Sequence, residues 1–96
     1  MTPMLRVAEE LALSQEEVMR EALRALLRDK IRDFGAERKA RCAKFGVSSL
    51  QQLDDLMRAG TVEEDTILDD FQNVDYLTNR IKRLQQLLDS ILSSKN

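Results

Sequence analysis

From Ile67 to Ile91 the apolar residues return at steps of three and four: Ile67, Phe71, Val74, Leu77, Ile81, Leu84, Leu88 and Ile91. No glycine or proline interrupts the chain after Gly60. A repeat near 3.5 residues keeps one face of an α-helix against a partner helix over many turns. It cannot serve a strand, whose faces alternate every two residues. An earlier stretch has the same character. Met19, Leu23, Leu26, Leu27, Ile31, Phe34, Cys42 and Phe45 fall at helical spacing, apart from a gap at Arg38. Nowhere do apolar and β-branched residues alternate with polar ones over five or more positions. The chain is therefore expected to be all-α, built on two long helices.

Local signals set the boundaries. Thr2 followed by Pro3 reads as an N-cap and first helical residue, opening a short helix over about 3–12 with Leu5, Ala8, Leu11 and Ala12 on one side. Ser14-Gln15-Glu16-Glu17 is a capping box, flanked by Leu13 and Val18 where a hydrophobic staple would close. Glu16 and Glu17 also face the positive end of the helix dipole. The spacing predicts a helix over 15–45, continuous through Gly35, which costs about 1 kcal/mol relative to Ala, and ended by Gly46. Ser48 and Ser49 offer the next N-cap, with Ser48 and Gln51 as a weaker capping box, for a short helix over about 49–59 ended by Gly60. Thr61 and Glu64 open the last helix, with Glu63, Glu64 and Asp65 in its first turn, and it runs to about Ser93.

Two long helices of similar length joined by a short helical connector imply an antiparallel hairpin. Ninety-six residues make a single domain, 1–96. One hairpin leaves its apolar stripes partly uncovered, because Leu26 beside Leu27 and Leu87 beside Leu88 widen them beyond a single seam. A second copy would close a four-helix arrangement, so a homo-oligomer, dimer or higher, is expected. The seam Leu77, Ile81, Leu84, Leu88 and Ile91 is the candidate interface with a partner or with another copy.

Composition removes several functions. There is no histidine, which takes away the commonest general base, metal ligand and pH switch near neutrality. The carboxylate clusters at 63–65 and 69–70 lack the histidines with which di-metal bundles work, and helix-start acidity accounts for them. No glycine-rich phosphate loop is present. Neither catalysis nor a cofactor or metal is expected. The lone Cys42 cannot form an intramolecular disulfide; it reads as a small buried residue, although Arg38, Lys39, Arg41 and Lys44 would favour a thiolate if it were accessible. No apolar run is long enough to span a membrane, the N-terminal stretch lacks the order of a signal peptide, and a reducing cytoplasm fits this cysteine usage.

Charge is segregated. Arg20 to Lys44 holds nine basic against four acidic residues, net +5, whereas Phe45 to Asn79 holds one basic against eight, net −7. Either the basic helix pairs with the acidic region, or it offers a basic surface to phosphates. Arg20, Arg24 and Arg28 are the candidate nucleic-acid contacts. A helix-turn-helix alignment competes here, with Val7, Ala8, Leu11, Ala12, Leu13 and Val18 at its apolar positions, but it places Glu16 and Glu17 at the tip of the reading helix.

The stretch Leu13-Ser14 with Glu17-Val18-Met19-Arg20-Glu21-Ala22-Leu23-Arg24 resembles the helical part of ribbon-helix-helix repressors, the DNA-binding antitoxins of prokaryotic toxin–antitoxin pairs. It covers about 20 of the 96 residues. The N-terminal strand with which that family reads the major groove is expected to be missing or very short here, since the first helix takes most of the 13 residues before Ser14. The resemblance thus implies a small helical antitoxin-like protein, with a toxin protein as partner and DNA repression as the alternative. The third alternative is a purely structural helical oligomer.

Overall fold

The computed structural model describes residues 2–93, which form four helices and no strand: α1 (Pro3–Leu11), α2 (Gln15–Ala43), α3 (Leu50–Ala59) and α4 (Glu64–Ser93). All-α architecture and the helix order agree with the periodicity.

The caps carry the detail. The Thr2 hydroxyl accepts from the Leu5 amide, with Pro3 at the first helical position. At Ser14 both arms of the capping box close: the Glu17 amide donates to Ser14 Oγ at 3.0 Å and the Ser14 amide donates to Glu17 Oε1 at 3.2 Å. α2 passes through Gly35 without a break. It ends at Ala43, two residues early, because Phe45 and Val47 both donate to the Cys42 carbonyl and Gly46 takes a φ of 68°. That closing turn drops Phe45 and Val47 onto the core.

Two expectations are corrected. The α3 cap is Ser49, not Ser48: Ser49 Oγ accepts from the Gln52 amide, and Gln52 Oε1 returns to the Ser48 amide at 2.7 Å. The Ser48–Gln51 pairing does not form. Nor does Thr61 open α4, which begins only after Glu63. The intervening Val62 packs against the core and holds the chain out of helix for two more residues.

The long helices run antiparallel. Arg38 donates to Thr78, Arg41 to Asp70, and Arg80 stands over the Phe34 ring at 5.5 Å. These pairs set the register: residue 34 of α2 is level with 80 of α4. The seam on α2 follows Leu27, Ile31, Phe34, Arg38 and Arg41, all half-buried. On α4 it follows Ile67, Asp70, Val74 and Leu77, all buried, then Ile81 and Leu84, and Leu88, buried again. α3 covers one flank of the hairpin where α2 leads into α4. There Leu53, Cys42, Ile67 and Val74 form the fully enclosed core.

The opposite end of the hairpin has no such cover. α1 folds back along the first turns of α2 and buries only Ala8. Leu11, expected beside Leu5 and Ala8 on the packed side, is 59% exposed. The result is long and thin, 60 × 23 × 16 Å, with a radius of gyration of 19.2 Å. A compact domain of this length has about 12.5 Å.

Candidate protein-binding surface

At the closed end of the hairpin, charge is consumed internally. Asp70 is buried in the seam. It accepts from Arg41 Nη1 at 2.9 Å and from Lys44 Nζ at 3.0 Å. Glu37 and Asp69 stand within 4 Å of the same guanidinium. The C-terminal half of the basic α2 therefore meets the acidic start of α4, as a pairing of segregated charge requires. Such a buried node fixes register more than it adds stability. Periodicity alone does not single out Asp70; its signal is a carboxylate at a seam position, three after Ile67 and four before Val74.

Cys42 lies in the core beside this node. Burial pushes its thiol above the ordinary range, Arg38 pulls it back, and the Asp70 charge adds to the rise. A thiolate activated by the neighbouring cations is not what this environment makes.

The candidate nucleic-acid contacts do not share one open face. Arg20 and Arg24 are half-buried on the side of α2 that bears the seam. Arg24 pairs with Glu21, and its Nε is closed off from solvent without a hydrogen-bond partner. Arg28 is exposed. The candidate interface on α4 is likewise placed inside the chain: Leu77 and Leu88 are buried, and Ile81, Leu84 and Ile91 half-buried, on the face that meets α2.

What remains open is the flank of that seam. Met19, Leu23 and Leu26, expected as core positions, are 41–52% exposed, and Leu87 is 55% exposed. The reason is angular. Leu23 and Leu26 lie about 50–110° around α2 from the seam line, beyond the reach of a single partner helix. Their spacing of four and three from Met19 makes one continuous strip. On α4, Leu87 occupies the matching flank, about a quarter turn from the seam beside Leu88. Both strips lie away from the flank that α3 covers, because Cys42 and Ile67, which touch α3's cluster, stand roughly 100–160° around their helices from Leu23, Leu26 and Leu87.

Next to this strip is an open cleft of about 470 Å³ between α1 and α2. Val7 and Leu11 line one wall, Val18, Ala22 and Ala25 the other, with Glu21 at the rim. The tight turn forms it: Ala12 in left-handed conformation and the Leu13 amide bonded to the Ala8 carbonyl hold α1 at a fixed angle. Small residues on α2 leave the gap unfilled. Cleft and strip join through Ala22 and Leu26 into one apolar area on the open end.

Among the described residues, no helix is long and apolar enough to cross a membrane, and no group of three or more cysteine or carboxylate side chains converges to hold a cation. A family model, described as the Uncharacterized protein MJ0235 family, matches residues 1–96. No curated protein and no solved structure matches the chain.

Proposed function

The chain belongs to the Uncharacterized protein MJ0235 family over residues 1–96, and we propose that it works by protein–protein binding, as a homo-oligomeric helical module whose contact surface is the apolar open end of the hairpin. One observation carries this reading. The accessible surface is 6978 Å², against about 5,600 Å² for a compact monomer of 11.0 kDa. The excess, roughly 1,400 Å², exceeds the ~800 Å² that each partner gives to a standard interface. The elongated shape accounts for the excess, and the unpaired flank of Met19, Leu23, Leu26 and Leu87 is an apolar part of it.

The contact mode is helix against helix, with anchors at i, i+4 and i+7 on α2. The antitoxin-like stretch Leu13 to Arg24 contributes Met19 and Leu23 to this strip and Val18 and Ala22 to the cleft, so the resemblance nominates a toxin protein as a further partner of the module. DNA binding has less behind it, since of Arg20, Arg24 and Arg28 only the last is exposed. The test is Leu23→Asp with Leu26→Asp. Both positions are open to solvent, so helicity by circular dichroism should be kept while association is lost. Association that survives both charges would mean that this surface is not the one used.

A further inference from the structure

Along the hairpin's long axis the open end carries three zones in order. The tip is acidic: Glu9, Glu10, Glu16 and Glu17 stand against Arg6, net −3. Next comes the apolar strip at the level of residues 19–26 and 87–91. Beyond it is a basic band, where Arg28, Lys30, Arg32, Arg80, Lys82 and Arg83 stand against Asp29 and Asp33, net +4. The α2 and α4 parts of the band coincide because residue 34 is level with 80, which brings 31 level with about 83.

This order is complementary to its own reverse. Two copies laid side by side in the same direction would set tip on tip and band on band, like charge on like. Turned end for end about an axis crossing the hairpin at Leu23, the apolar strips meet and each acidic tip reaches the other copy's basic band. Glu16 and Lys30 are each seven residues from Leu23, about 10 Å along the helix. Both are exposed. Both lie within about 90° of the apolar flank that bears Leu23 and Leu26. Such an isologous contact closes on itself.

We infer that the occupant of the apolar open end is a second copy of this chain, packed antiparallel about a two-fold axis at Leu23, with Glu16 of each acidic tip opposite Lys30 of the other copy. This rests on the homo-oligomeric reading above and adds to it the direction in which the two copies pack and the charge pairing that sets it.

Sedimentation equilibrium on the full chain decides it, with Glu16→Lys, Lys30→Glu and their equimolar mixture. Each reversal sets like charges together twice per dimer, so each variant alone should dimerise about tenfold more weakly. The mixture should recover, since the lysine tip then meets the glutamate band and the two native zones meet each other. Raising the salt should weaken the native dimer. Variants that dimerise as tightly as the native chain, a mixture that fails to recover, or a native dimer strengthened by salt would overturn the antiparallel arrangement while leaving an apolar binding surface in place. A native chain that never associates would overturn both.

Discussion

Replacing Asp70 by Asn tests whether the polar node in the seam is structural. The carboxylate is 6% exposed and holds Arg41 at 2.9 Å and Lys44 at 3.0 Å. Removing one partner of a fully buried ion pair costs about 3–5 kcal/mol. Here the cost is smaller, for two reasons visible in the site. The Lys44 side chain is 58% exposed and returns to water when released. Arg41 retains Glu37 at 3.6 Å and Asp69 at 3.8 Å. The amide also keeps the shape and one acceptor oxygen. The expected loss is therefore about 2 kcal/mol, the weight of one charge-assisted hydrogen bond. It should lower the melting temperature by roughly 8–16 °C for a chain of this size. Urea unfolding followed by circular dichroism at one fixed protein concentration measures it. Asp69→Asn is the control: that side chain is 82% exposed, and its loss should stay within about 0.5 kcal/mol. Equal stability of the two variants would refute the argument that burial at position 70 makes its charge structural.

Cys42 should react with a thiol reagent only as fast as the chain opens, because it is enclosed and its thiol is pushed up. The sign with pH follows: the unfolded thiol ionises first, so its contribution to stability is intact below about pH 8.5 and is lost as the pH rises above that. Cys42→Ala should remove this alkaline slope in denaturation curves. Duplex DNA should bind no more tightly than about 10⁻⁶ M at physiological salt; a sequence-specific footprint abolished by Arg20→Ala or Arg24→Ala would reverse that. Leu84→Asp puts a charge into the intrachain seam and should cost several kcal/mol, unfolding the hairpin by circular dichroism, in contrast to Leu23→Asp, which should leave it folded.

The parts of the fold legible in the sequence were those written in local chemistry. Ser14 and Glu17 cap each other across three residues, so no tertiary knowledge was needed to find the start of α2. The step pattern from Ile67 to Ile91 named the face of α4 that is buried. Less legible was anything that depends on a third element. The core around Val62 delays α4. Ser48 and Ser49 are equally good caps until the backbone direction into α3 decides between them. For the site, Leu26–Leu27 and Leu87–Leu88 announced stripes wider than one seam, yet periodicity alone placed Met19 and Leu23 in the core. Which edge of a wide stripe stays open is set by where the second helix lies, and that is a property of the pair. Charge segregation likewise foretold pairing, but only the register singles out Asp70 as the buried acceptor and turns Arg24 toward the seam.

One hairpin does not cover its own apolar stripes: Met19, Leu23, Leu26 and Leu87 stay open beside the seam. Sedimentation equilibrium of the native chain at micromolar concentration tests this most directly. A mass at least twice 11.0 kDa is expected, falling toward the monomer on dilution and in Leu23→Asp. A single species of 11.0 kDa with full helicity and cooperative unfolding at that concentration would contradict it.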